Sequence, residues 1–279
     1  MIPPRQQWCI QIDITNACGR KCSNCTRMLA HVRKPFFMST NQFREAAQAL
    51  ADFPIDSEPH PKRPNGGTKV VGIIGGEPLL HPKFSDFTNV LVDMIPEKRH
   101  CGLWTSLPWR QHKHASQIKK SFGYLNHNLH NATVQHQPVL VAIKDVILDK
   151  DQMWELIDDC WVQQKWSSTI TPKGFFFCEV AGAMDMVFGG PGGLPVTPDC
   201  WRHDLDAYRE QIERWCPRCS AALPLPARQD SEEIDDISDS NLAALRKRNS
   251  PRVQRQQYQL YDVSQYQEQA NWRPHQYKQ

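Results

Sequence analysis

The sequence predicts an α/β fold: a partial (β/α)6 barrel, open rather than closed, followed by a small C-terminal module. Three observations carry this reading. Short apolar runs of strand length alternate with amphipathic helical patterns over residues 1–180. The loops richest in chemically capable residues follow the carboxyl ends of those runs, where α/β sheets place their sites. Beyond residue 180 the alternation stops, and cysteines recur instead.

Trp8 to Ile14 reads as a buried strand with Cys9 inside it. Ser39 caps a helix over Asn41 to Asp52, with Gln42 completing a capping box and Phe43, Ala46, Ala47 and Leu50 on one face. Pro54 to Gly67 is a loop. Lys69 to Ile74 is the second strand, and Lys83 to Met94 the helix after it. Cys101 to Thr105 is a third strand, His112 to Phe122 a helix, Val139 to Ile143 a fourth strand and Gln152 to Cys160 a helix. Phe175 to Val180 reads as the fifth strand, and Ala181 to Phe188 as a helix that ends at the break Gly189-Gly190-Pro191-Gly192-Gly193. Cys200 to Trp215 is expected to form one helix, and Asn241 to Arg248 another. Residues 251–279, rich in Gln and Tyr, are expected to form an extended tail.

The chain has 279 residues, 40% of them hydrophobic, enough for a sizeable core. Its mean hydropathy of -0.59 and the lack of a run of about 18 apolar residues argue against a membrane span. The first residues, Met1 to Trp8, hold no apolar signal core, so the cytosol is the expected location. In that setting ten cysteines point to metal or catalytic thiols rather than disulfides. A net charge of +3 is too small to imply a nucleic-acid partner. The basic clusters Arg110, His112, Lys113, His114, Lys119, Lys120 and Arg246, Lys247, Arg248, Arg252, Arg255 read first as solvated faces, with polyanion binding second.

Cys18, Cys22 and Cys25 have the spacing C-x3-C-x2-C just after the first strand. Three thiolates can hold three irons of a cubane cluster and leave the fourth open, whereas ferredoxin clusters take four cysteines. A zinc site with a remote fourth ligand is the competing reading. Gly75-Gly76-Glu77-Pro78 ends the second strand and, alone, is an ordinary turn. Together, in this order, the two motifs resemble the signature of radical S-adenosylmethionine enzymes, and the resemblance covers roughly residues 8–180 by order of elements. One departure is visible: the position before the last cysteine, often aromatic in that family, is Asn24.

The resemblance implies a [4Fe-4S] cluster on Cys18, Cys22 and Cys25 whose open iron chelates S-adenosylmethionine. Reductive cleavage would yield a 5′-deoxyadenosyl radical that abstracts a substrate hydrogen, with flavodoxin or ferredoxin as electron donor. Gly75 and Gly76 would let the backbone approach the methionine moiety, with Pro78 closing the turn, and Glu77 would suit its ammonium group. Thr105 and Ser106 are placed to meet the ribose or carboxylate, and Val141 and Ile143 to flank the adenine.

Cys178, Cys200, Cys216 and Cys219 remain, the last two in a C-x2-C pair. They resemble the shortened auxiliary-cluster module called a twitch domain, spanning residues 181–250, although Pro195 stands where the family has glycine. A second [4Fe-4S] cluster is favoured over structural zinc or free thiols. Cys9, Cys101 and Cys160 read as buried small hydrophobes, and the histidines show no ligand spacing. The substrate expected is a small molecule, a nucleoside or a nucleic-acid base. A peptide-modifying maturase and a non-catalytic metal-binding module are the alternatives.

Overall fold

The computed structural model describes residues 1–62, 67–130 and 134–267. Three βα units open the chain. They are β1 (Cys9–Asp13), α1 (Thr40–Ala49), β2 (Val70–Ile74), α2 (Phe84–Met94), β3 (Cys101–Thr105) and α3 (Ala115–Ser121). The edge strand β4 (Tyr124–His127) follows, then α4 (Lys150–Asp158), α5 (Trp161–Lys165), β5 (Ser167–Thr171), β6 (Gly174–Phe176) and α6 (Glu179–Phe188). These six strands form one sheet in the order β4-β3-β2-β1-β5-β6. All neighbours are parallel except the β5/β6 hairpin. The described strands do not close on themselves, so the sheet is open and mostly parallel, as expected.

The order of strands fixes where a ligand can sit. From β1 the chain moves one way, through β2 and β3 to β4. It then crosses back to place β5 on the other side of β1. Strand β1 is therefore the switch point of the sheet, and ligands in open α/β sheets bind beyond the carboxyl ends at such a point.

The helices pack where their apolar faces predict. Ser39 caps α1 in a full capping box with Gln42. Phe43 of α1 stacks on Phe87 of α2 with ring centroids 4.5 Å apart, and both are fully buried. On the opposite face of the sheet, Trp104 lies flat across two strands. A Cβ on Gly72 would fall 2.0 Å from its ring, and one on Gly102 2.7 Å from it.

Three expectations need correction. Val139 to Ile143 is not a strand: Leu140 makes one bridge to Ile237, and Ile143 begins a helical turn, Ile143–Val146. Its apolar residues are buried for another reason, since Val141 and Ile143 pack with Ala222, Leu223 and Leu225 of the C-terminal region. The true fourth and fifth strands, Tyr124–His127 and Ser167–Thr171, lacked an apolar signature. Of the single helix expected over Cys200 to Trp215, only α7 (Arg209–Trp215) forms after a short turn at Leu205–Tyr208. Trp201 is drawn out of it into the core, where its indole N–H donates to the Ala49 carbonyl (3.2 Å) and its ring meets Phe53.

The C-terminal region adds β7 (Asp235–Ile237), α8 (Asp239–Lys247), α9 (Pro251–Gln254) and β8 (Tyr258–Leu260), with β8 parallel to β7. The described part of the expected tail therefore folds: Arg252 is fully buried. The rest, from residue 268, lies outside the described residues. Among the described residues no helix is long and apolar enough to cross a membrane.

Replacing Gly72 by Ala should destabilise the protein by about 1–3 kcal/mol, because the new methyl overlaps the Trp104 ring. In a Trp104→Ala background the same change should cost less. Urea unfolding of the four proteins measures the coupling, and equal costs in both backgrounds would show that the ring is not what Gly72 makes room for.

Candidate metal centre

The chain leaves β1 along Ile14 to Ala17 and turns into the cysteine loop. Side chains brace the exit: the Thr15 hydroxyl donates to the Phe36 carbonyl (2.7 Å), and Asn16 accepts from the Phe36 N–H (2.7 Å). The turn after β2 then docks on this exit. Gly76 N–H donates to the Thr15 carbonyl (2.6 Å), and Glu77 N–H to the Ala17 carbonyl (2.8 Å). A Cβ on Gly75 would stand 2.3 Å from the Thr15 oxygen, and one on Gly76 2.4 Å from the Ala17 oxygen. The two glycines thus permit a close approach between two segments of the chain itself.

Glu77 is almost wholly buried. Its carboxylate accepts from the Thr105 hydroxyl (2.6 Å), the Ser106 N–H and hydroxyl (both 2.8 Å) and the Leu79 N–H (3.1 Å). The structure therefore brings Glu77, Thr105 and Ser106 together at the carboxyl ends of β2 and β3, beside the cysteine loop. Pro78 begins the short turn Pro78–Leu80. Val141 and Ile143 lie elsewhere, enclosed with no exposed surface.

The three thiols share one loop and feel one another. Burial pushes the Cys22 thiol up to about 12, with Cys25, Asp230 and Cys18 adding to the effect. Burial raises Cys18 and Cys25 as well, against backbone N–H groups that favour the thiolate: Arg20 for Cys18, and Leu29 and Arg27 for Cys25. Metal loading would have to displace these protons. Cys22 Sγ also lies 3.6 Å from His130 Nδ1, which is 2.6 Å from the Asp230 carboxylate. No sequence spacing announces that trio.

A second cysteine cluster lies beside α6. One cavity is lined by Cys160, Cys178, Cys216 and Cys219, with Met184 and Trp215 among its walls. Cys160, read from sequence as a buried hydrophobe, is part of it; Cys200 is not among its lining residues. Burial, together with Cys160, pushes Cys178 up to about 12, and Cys216 is raised by burial and then by Cys178, Cys160 and Cys219. Cys200 is also pushed up to about 12, by burial and then by the Asp199 charge. The only hint of Cys160 in the sequence was its being a cysteine at the end of a helix.

Among the described residues, the group of three ligand-type atoms found within 4.8 Å of one another is Cys22, His130 and Asp230; neither cysteine set closes to that distance.

Between the two sets sits Arg27, two residues past Cys25. Its guanidinium donates to Gln11 (2.7 Å) and Glu179 (3.2 Å) and pairs with Asp13 at 3.6 Å. Its charge acts on both Cys25 and Cys178. Burial pushes Asp13 up to about 6 in spite of Arg27, and among the described residues Asp13 Oδ1 and Arg27 Nη1 have no hydrogen-bond partner.

No protein-family model matches the sequence, and no curated protein matches it. Among solved structures, that of BtrN in complex with AdoMet and 2-DOIA is similar, with 15% identity and a TM-score of 0.43 over 76% of this chain and 92% of that one.

Proposed function

We propose that the chain is a radical S-adenosylmethionine enzyme that modifies a small molecule, a nucleoside or a nucleic-acid base. The observation that carries this reading is the junction of its two motifs. The strand exit that leads into the C-x3-C-x2-C loop is hydrogen-bonded to the Gly-Gly-Glu-Pro turn, through Thr15 and Ala17, at the switch point of an open, mostly parallel sheet. Neither motif is specific alone. Their direct docking, three thiols beside a fixed carboxylate, is what that chemistry requires.

In this reading Cys18, Cys22 and Cys25 hold a [4Fe-4S] cluster with one open iron. The cluster and S-adenosylmethionine, when bound, supply a 5′-deoxyadenosyl radical for hydrogen abstraction. The chain's own residues do the positioning. Gly75 and Gly76 let the turn seat on the strand exit. Glu77 spends its carboxylate on Thr105 and Ser106 and so fixes the ends of β2 and β3 relative to the cysteine loop. With that carboxylate already accepting four hydrogen bonds, the backbone of the turn is better placed than the Glu77 side chain to meet an ammonium group. Val141 and Ile143 do not belong to this cofactor set. Flavodoxin or ferredoxin in the cytosol would deliver the electron.

Cys160, Cys178, Cys216 and Cys219 are proposed to hold a second [4Fe-4S] cluster. Four thiolates make a closed site, suited to electron relay or to oxidation of a substrate radical rather than to binding substrate directly.

Anaerobic reconstitution with iron and sulfide, then dithionite and S-adenosylmethionine, should yield 5′-deoxyadenosine. Replacing Cys18, Cys22 and Cys25 together by Ala should remove about four irons per chain and all cleavage. A protein that carries its full iron yet forms no 5′-deoxyadenosine would overturn the enzyme reading.

The membership of the second site has its own test. Cys160→Ala should lower bound iron by up to about four per chain, while Cys200→Ala should leave it unchanged. Iron lost from the Cys200 variant and retained by the Cys160 variant would restore the set expected from sequence.

A further inference from the structure

Asn24, where the related family often has an aromatic residue, is built into a joint with the C-terminal segment. Its backbone is left-handed, with φ of 49°. That conformation is costly for most side chains, and Asn tolerates it best among residues with a Cβ. Its side chain exchanges two hydrogen bonds with Asp236: Nδ2 donates to the carboxylate (2.9 Å), and Oδ1 accepts from the Asp236 N–H (2.9 Å). Its own N–H donates to the Asp235 carboxylate. An aromatic ring at this position could make neither side-chain bond.

Asp235 is the centre of that joint. It is buried, and its carboxylate meets Arg252 Nη1 at 2.7 Å and His31 Nε2 at 2.9 Å. Arg252 in turn donates to the carbonyls of Lys21 and Cys22 (3.2 Å for Cys22), and His31 Nδ1 lies 2.7 Å from the Ser250 hydroxyl. Alongside, Ser23 N–H donates to the Asp230 carbonyl (2.9 Å), and Ile234 N–H to the Ser23 hydroxyl (3.0 Å). Four consecutive residues, Lys21 to Asn24, are thus fixed by groups from residues 230–252. None of these bonds reaches Cys160, Cys178, Cys216 or Cys219.

We propose that Asp235 is a positioning residue for the cysteine loop. Acting through Asn24 and Arg252, it holds the backbone of Lys21 to Asn24 so that the sulfurs on either side are presented together, and occupancy of the first site depends on the C-terminal segment. Removing the carboxylate leaves Arg252 buried without its partner and releases the Asn24 amide, so the loop should loosen while the remote cysteine set stays in place. The proposal rests on the reading of Cys18, Cys22 and Cys25 as cluster ligands, so the test has one arm with metal and one without.

In the full-length, metal-free protein, hydrogen–deuterium exchange of the Ser23 and Asn24 amides should speed up at least tenfold in Asp235→Ala, with the amides of β1 and β2 unchanged. In anaerobically reconstituted protein the same variant should lose about four irons per chain. It should also lose the electron paramagnetic resonance signal that shifts on addition of S-adenosylmethionine, while the signal from the second site persists. Asp235→Asn, which keeps an acceptor for the Asn24 amide, should retain more of both than Asp235→Ala. Wild-type amide protection, iron and spectral response in Asp235→Ala overturn the proposal. If that variant does not fold, Asp235→Asn decides: it removes the charge that holds Arg252 against the Lys21 and Cys22 carbonyls, so loop protection should still fall, and wild-type loop protection there also overturns the proposal. A wild-type protein with no signal responsive to S-adenosylmethionine overturns the cluster reading instead, and the exchange arm still judges the clamp.

Discussion

Two backbone hydrogen bonds, Gly76 to Thr15 and Glu77 to Ala17, are the constraint on which the site depends. Past Ile14 the first strand has left the sheet, and its carbonyls need donors. The turn after β2 supplies them, but only because residues 75 and 76 have no side chain to collide with those same oxygens. The docking brings Glu77 under the loop. Glu77 then gathers the end of β3 through Thr105 and Ser106. Three strand ends and the approach to the cysteine loop are thus joined by hydrogen bonds, two between backbone groups and the others through the Glu77 carboxylate.

Much of this was legible in the sequence because the early strands are short, largely apolar runs that lead directly into the two motifs. Cys9 to Asp13, Val70 to Ile74 and Cys101 to Thr105 were found in place, as were α1 with its capping box and α2. Strand β5 was not, and the reason is specific. Ser167-Ser168-Thr169-Ile170-Thr171 is polar, yet every residue is buried. Its hydroxyls and amides are satisfied by remote partners: Gln7 Oε1 accepts from both the N–H and the hydroxyl of Ser168, and Glu179 accepts from Ser167. Sequence periodicity reports the average environment of a run, and cannot see a glutamine far along the chain that turns a polar run into an interior strand. The converse error, the strand expected at Val139 to Ile143, has the same root. Those residues are apolar because they are buried under the C-terminal region, and burial does not require strand pairing.

The cysteines divide in the same way. Cys18, Cys22 and Cys25 stand out in the sequence because they share one short loop. The later cysteines come together only through the fold: Cys160, Cys178, Cys216 and Cys219 line one cavity, whereas Cys200 does not. Cys160 and Cys200 look alike in sequence, and only the packing of α5 and α6 around that cavity tells them apart. Asn24 was noticed as a departure, but its partners Asp235 and Asp236 lie more than 200 residues further along the chain, where nothing in the sequence pairs them with it.

Arg27 ties the two cysteine sets into one electrostatic problem. A guanidinium buried with two carboxylates is a poor source of stability, because desolvating three ions offsets most of what their attraction returns. Apolar residues of the same volume would serve a purely structural core better. The group makes sense once thiolates occupy both sides of it. Cys25 and Cys178 both lie within reach of its charge, so loading either site with thiolates raises the cost of loading the other, and a fixed cation between them reduces that penalty. Asp13 and Glu179 then have a narrower task, to hold the guanidinium in the gap rather than let it turn toward one set. On the proposed reading, the polar interior between the two cysteine sets would follow from placing two anionic centres close together, whatever the substrate.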